Sequence, residues 1–108
     1  MSLSNEPQFI YLTTSGWKTG NQHRIEIWFV EYQYRYYIMS ERKYQAHWVQ
    51  NILHNQKIKF SLNNTTFEGN ARIVIKDDNT QLVNEVQKLM KAKYGWNEGL
   101  IAELTISG

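Results

Sequence analysis

The sequence predicts an α+β domain around a small antiparallel barrel, with elements in the order βββαββαβ. Six stretches alternate or run apolar with the spacing of strands. Two others, around Trp48 and around Val86, place their apolar residues at helical intervals. Seven Tyr and four Trp stand against six Gly and one Pro, a balance that favours long pleated strands with few breaks.

Taken in order, residues 1–7 are polar, end in Pro7 and read as a short flexible lead, leaving 8–108 as one domain. A chain of 108 residues, 42% of them hydrophobic, has material for one core and no room for a second. The first strand is expected over 8–13 and stops at hydroxyl residues and Gly16. The second, over 23–31, sets Ile25, Ile27 and Phe29 on one face and Arg24, Glu26 and Trp28 on the other. A third covers 34–40; the turn at Tyr32-Gln33 has neither Gly nor Asn, so that hairpin must rest on its strands. The segment 40–43 breaks the strand pattern. A helix then starts at Tyr44 or Gln45 and runs to Asn55, with Trp48, Val49, Ile52 and Leu53 on one side.

Residues 57–62 alternate again, with Ile58, Phe60 and Leu62 inward. Asn63-Asn64 suits a two-residue turn because Asn tolerates positive φ. The return strand, 65–75, buries Phe67, Gly69, Ala71, Ile73 and Ile75, and its small residues suit a bend at a barrel corner. Asp77-Asp78 caps a second helix whose stripe is Leu82, Val83, Val86, Leu89 and Met90. Lys88, Lys91 and Lys93 complement its dipole and Gly95 closes it. The sixth strand is 100–106.

Several function classes are excluded. The absence of Cys rules out disulfides, thiolate metal sites and a Cys nucleophile. No apolar run approaches the roughly 20 residues of a membrane helix, and the N-terminus lacks a signal peptide's basic start and apolar middle, so a cytoplasmic location is expected. His47 and His54 lie seven apart, unlike a helical i, i+4 ligand pair, and no metal site is expected. Neither a Ser-centred elbow nor a carboxylate pair supports hydrolysis. The net charge of +2 suits an anionic ligand, but the basic residues are spread out and form no stripe for nucleic acid. A non-catalytic barrel for single-stranded nucleic acid is therefore a minor alternative. Open barrel edges and an aromatic-rich outer face lead to the expectation of a homodimer, with a ligand-free partner protein as a further alternative.

One loop stands out. Between the first two strands lie two glycines, hydroxyl residues and Lys18, with Arg24 just beyond. Backbone N–H groups in such a loop can converge on an anion, and the two cations add charge at either end. It is not a P-loop, since Trp17 stands where that motif has Gly. A solvated turn is the alternative.

The run Phe9-Ile-Tyr-Leu-Thr-Thr-Ser-Gly-Trp-Lys-Thr-Gly, then Arg24, Ile27-Trp-Phe-Val, Tyr36-Tyr37, His47-Trp48-Val49-Gln50-Asn51 and Phe67-Glu68-Gly69-Asn70-Ala71-Arg72 resembles the deazaflavin-dependent nitroreductase family. That family belongs to the flavin-binding split β-barrels, with pyridoxamine 5'-phosphate oxidase. The resemblance implies a six-stranded antiparallel split β-barrel and an oxidoreductase that passes a hydride from a deazaflavin coenzyme of the F-420 type to a quinone-like or nitroaromatic acceptor. FMN is the alternative cofactor, since both present a phosphate on a ribityl chain. Lys18, Thr19, Gly20 and Arg24 match the family positions at the cofactor's phosphate end, while Trp17 stands where relatives commonly carry a basic residue. Trp48 and Asn51 match the family's Trp-x-x-Asn; packing is the alternative for Trp48, and a bond to a neighbouring strand end for Asn51. Glu26 and Trp28 lie on a face that would meet the cofactor ring, or are plain exposed strand positions. Ser40 and Arg42 lie where relatives have a glycine-rich segment, with Arg42 and Lys43 as substitute charges or a solvated cluster. No catalytic side chain is assigned, as expected where the cofactor does the chemistry.

Overall fold

The computed structural model describes residues 9–107. The flexible lead expected at 1–7 lies outside the described residues. Six strands and two helices follow in the predicted order: β1 (Phe9–Ser15), β2 (Gln22–Tyr32), β3 (Arg35–Ser40), α1 (His47–His54), β4 (Lys57–Leu62), β5 (Thr65–Val74), α2 (Thr80–Tyr94) and β6 (Leu100–Ile106). All neighbours are antiparallel, and the barrel closes in the order β1-β2-β3-β6-β5-β4.

Closure is incomplete along one seam. β2 pairs with β1 over its first seven residues, 22–28, whereas it pairs with β3 only from Phe29↔Ile38 to Tyr32↔Arg35. Among the described residues, the stretch of β2 up to Trp28 thus has no strand partner on its β3 side. The strands part just where α2 ends. There the Tyr94 hydroxyl accepts the Phe29 N–H (3.1 Å) and donates to the Phe29 carbonyl (2.9 Å), and Lys93 Nζ donates to the same oxygen (3.1 Å). Those bonds satisfy Phe29 backbone groups that point away from β3, just past the last β1 pair, Phe9↔Trp28.

Alternation along the strands builds two cores. The inward set, including Ile10, Leu12, Phe29, Ile38, Phe60, Ala71 and Leu104, fills the lumen, and α1 adds Ile52 to it. The outward set Val30, Tyr37, Met39, Val74 and Ile101 packs under Val83, Val86 and Met90 of α2. Both faces of these strands are therefore buried, which accounts for the continuous apolar runs in β3 and β6. Gly69 lies where β5 pairs closely with β6: a Cβ there would run into the Thr105 carbonyl oxygen, so only glycine fits.

Several boundaries differ from the sequence reading. The β2–β3 turn is Gln33-Tyr34, one residue later than expected, with φ of 51° and 67°. Tyr32 is thereby free to pair with Arg35 and to pack beside Tyr37, 6.4 Å between ring centroids. Asn63-Asn64 forms the expected turn, φ 52° and 66°. α1 starts at His47, because residues 43–45 form a 3-10 turn whose Gln45 and Ala46 N–H groups bond Arg42 and Lys43. Asp77 and Asp78 sit in another 3-10 turn ahead of α2, whose cap position is Asn79. Ile75, expected inside, is exposed because β5 ends at Val74. Gly95 closes α2 with φ 75° and its N–H on the Lys91 carbonyl, as expected.

Candidate functional site

The loop between β1 and β2 is held from within and from α1. Gly16 N–H bonds the Asn21 carbonyl and Gly20 N–H the Gly16 carbonyl, both at 2.7 Å. Thr19 Oγ1 accepts the Asn21 N–H at 3.2 Å. Gly20 has φ 77°, a left-handed turn that glycine takes without cost. A Cβ on Gly16 would come within 2.8 Å of His23 Nε2 and 3.0 Å of Thr19 Oγ1, so glycine there lets the His23 ring and the Thr19 hydroxyl close on the loop backbone.

From α1, Asn51 is buried at 4% exposure. Its Oδ1 accepts the Trp17 N–H (3.1 Å) and its Nδ2 donates to Thr14 Oγ1 (2.9 Å), tying the helix to both the strand end and the loop. One turn further on, the His54 ring stacks on Trp17, 4.4 Å between centroids and 13° between planes. Lys18 Nζ lies 4.9 Å from the centre of the same indole. Because the Gln50 carbonyl can only accept, the 2.9 Å contact makes His54 Nδ1 the protonated nitrogen.

These elements enclose a cleft of about 550 Å³. Thr14, Gly16, Lys18 and Thr19 line it from the loop side, His23, Arg24 and Ile25 from β2, and His47, Trp48 and Asn51 from α1. Among the described residues no carboxylate lines it.

The cleft brings together Lys18, Thr19, Arg24, Trp48 and Asn51, with Gly20 in its loop. Asn51 makes the bond to the neighbouring strand end. The Arg24 guanidinium turns toward the outer face, 4.3 Å over the Tyr11 ring. Glu26, which accepts the Tyr11 hydroxyl at 3.2 Å, and Trp28 line a different cavity. Ser40 is buried with Oγ donating to the Lys43 carbonyl (2.9 Å), and Arg42 is exposed; neither reaches the cleft. The sequence reading missed Thr14, His23 and His47 as lining residues. For Thr14 and His23 the alternation carried the signal, since both share a face with inward residues, Leu12 and Ile25. Among the described residues no three His, Cys, Asp or Glu side chains group as metal ligands.

A second polar cluster lies on the outer sheet face. Glu103 accepts the Tyr37 hydroxyl (2.7 Å), Arg72 Nε (2.8 Å) and Arg35 (3.4 Å). Burial alone would raise the Glu103 carboxyl, but bonds from Arg72 and Tyr37 and the charge of both arginines outweigh it and hold it below the ordinary value. Burial, then the bond to Glu103, pushes the Tyr37 phenol up.

A six-stranded antiparallel barrel with a parted seam, one helix at the lumen and one outside defines the class of split-barrel proteins. Solved structures share it. An F420-H2 dependent reductase (FDR-A) is 16% identical, TM-score 0.72, with 93% of this chain and 96% of that chain covered. The heme storage protein HutZ from Vibrio cholerae is 16% identical, TM-score 0.75, covering 94% and 82%. A domain-swapped dimer is 14% identical, TM-score 0.66, covering 93% and 81%. At these identities the likeness is one of fold. The family described as F420H(2)-dependent quinone reductase matches residues 1–105, and the chain belongs to that family. No curated protein matches it.

Proposed function

We propose that the chain is an oxidoreductase that binds a deazaflavin coenzyme in the cleft between the 16–21 loop and α1. The observation that carries this reading is a cleft lined by Lys18, Thr19 and Arg24 and, among the described residues, by no carboxylate, in a member of a deazaflavin-dependent reductase family. The residues fit such a cofactor's phosphate end. Lys18 supplies charge and Thr19 a hydroxyl. Asn51 and His54 hold the loop through Trp17, so Lys18 is placed before any ligand arrives. Trp48 gives the cleft an apolar wall, and Thr14 and Asn51, already bonded to each other, occupy its inner end.

When bound, the reduced deazaflavin supplies a hydride, which a quinone-like or nitroaromatic acceptor takes up together with a proton from solvent. Binding, orientation and exclusion of water are the tasks left to the chain. Titrating the protein with deazaflavin and with FMN, read by quenching of cofactor fluorescence, tests the proposal. Deazaflavin is expected to bind below about 100 μM, roughly 5.5 kcal/mol. Binding of neither contradicts it, and preference for FMN moves the chain to the alternative cofactor.

A homodimer is part of the proposal, supported by the domain-swapped dimer of the same fold and by the unpaired β2 edge. A monomeric mass at micromolar concentration contradicts that part.

A further inference from the structure

Two imidazoles line the cleft beside Lys18, His23 from β2 and His47 from the first turn of α1. We infer that both are anion-binding side chains acting as imidazolium, so that the cleft takes up protons with its anion and holds it more tightly as pH falls. The inference rests on the reading of the cleft as a phosphate site, but not on which cofactor bears the phosphate.

Neither ring has a structural task. Among the described residues neither makes a hydrogen bond, an ion pair or a ring contact, and both are exposed. His54, the third histidine, is engaged: its Nδ1–H goes to the Gln50 carbonyl at 2.9 Å, its ring lies on Trp17, and it does not line the cleft.

Both rings are nonetheless placed by the fold. His23 pairs across the sheet with Thr14, to which Asn51 is bonded, and its ring lies against the loop at Gly16, where an added Cβ would stand 2.8 Å from Nε2. His47 precedes Asn51 by one helical turn and so shares the face of α1 that reaches the loop. One ring therefore stands on the strand side of the cleft and the other on the helix side, with Lys18 in the loop between those two elements.

The surrounding charges decide what the two rings take. Lys18 lines the cleft from the loop, and Arg24 lines it from β2 with its guanidinium turned to Tyr11. The positive end of α1 faces the cleft without a side-chain cap. Glu26 and Glu41 line the separate cavity, and Arg42 and Lys43, in the turn ahead of α1, do not reach the cleft. With no carboxylate among the described lining residues, the partner of an imidazolium here has to arrive with the ligand. An imidazole gains its charge and its second N–H donor between about pH 8 and pH 5. A bound anion favours that charged form, and by reciprocity the charged form favours the anion. Affinity therefore rises as pH falls through this range.

The test uses the full chain without deazaflavin and takes sulfate as the probe, since its own charge does not change in this range. Amide shifts of the 16–21 loop, followed by NMR at constant ionic strength, give the affinity. It should be about tenfold higher at about pH 5.5 than at about pH 8. His23→Gln and His47→Gln should each lower that ratio to about threefold, and the double variant should remove it. Lys18→Ala should weaken binding at both pH values and keep the ratio, because lysine stays charged throughout. In the wild type, sulfate should move the ring-proton titrations of His23 and His47 to higher pH and leave that of His54 in place. That measurement needs no variant and carries the test if one fails to fold. Equal affinity at both pH values, no saturable binding at either, or a ratio that survives in the folded double variant overturns the inference. A sulfate effect on His54 alone overturns it as well. If sulfate shows the proton linkage and deazaflavin does not bind, these two residues stand and the cofactor assignment falls; deazaflavin binding equally well at both pH values gives the reverse result.

Discussion

Asn51 spends its carboxamide on two contacts that no short-range pattern reveals, Trp17 N–H in the loop and Thr14 Oγ1 on β1. Asn51→Ala strands both partners beside a buried gap, and losing a buried bond of this kind costs about 1–3 kcal/mol. We expect that loss in urea denaturation, together with weaker cofactor binding because the Lys18 loop slackens. Unchanged stability would show that water replaces the carboxamide. The sequence made part of this legible. Gly, hydroxyl and Lys residues gathered between two strands marked the loop, and Asn51 stood on the correct helix, but which of its two roles it takes depends on how α1 approaches the loop, a contact 34 residues apart. Ser40 was less legible still: its hydroxyl turns back on the Lys43 carbonyl, a local bond that no spacing in the sequence marks.

The two tight hairpins separate what element-scale patterns reveal from what they hide. Asn63-Asn64 was readable because Asn accepts the positive φ that a two-residue turn imposes. Gln33-Tyr34 adopts the same conformation with residues that resist it, and so a local reading misplaced the turn by one residue. What fixes its register is the pairing of β2 with β3 and of β3 with β6, from Arg35↔Tyr32 to Ser40↔Leu100. Replacing the pair by Asn-Gly (Gln33→Asn, Tyr34→Gly) should relieve about 1 kcal/mol of backbone cost and raise Tm by roughly 4–8 °C. A lower Tm would mean that the Tyr34 side chain, 95% exposed here, packs elsewhere in solution. The helices were legible from their stripes, while their starts were not, since both are preceded by 3-10 turns, the second of which holds the aspartates that an N-cap would use.

At the scale of the whole molecule, closure of β4 on β1 and the parted seam beside β3 lie beyond sequence pattern, because alternation gives faces and not neighbours. The same closure places Glu103 among Tyr37, Arg35 and Arg72. Its folded carboxyl titrates below the unfolded value, so its stabilisation is present above about pH 4.3 and is lost as pH falls further. Tyr37 is shifted the other way: its contribution holds below about pH 10 and is lost as pH rises beyond that. Stability against pH should therefore be a plateau with an acid and an alkaline edge. Glu103→Gln should remove about 1–3 kcal/mol, discounted because both arginines are half exposed, and should blunt the acid edge. An acid edge identical in that variant would assign it to other carboxylates. The central claim, that the loop before β2 holds the phosphate end of a deazaflavin, concerns Lys18 more than Arg24, whose guanidinium leans on Tyr11. Its most direct test is the deazaflavin affinity of wild type and Lys18→Ala, with Tm recorded for both. Loss of one charge-assisted bond, about 1.5–3 kcal/mol, predicts binding weakened about 10- to 150-fold at unchanged Tm. A folded Lys18→Ala variant that binds as tightly as wild type would contradict the account.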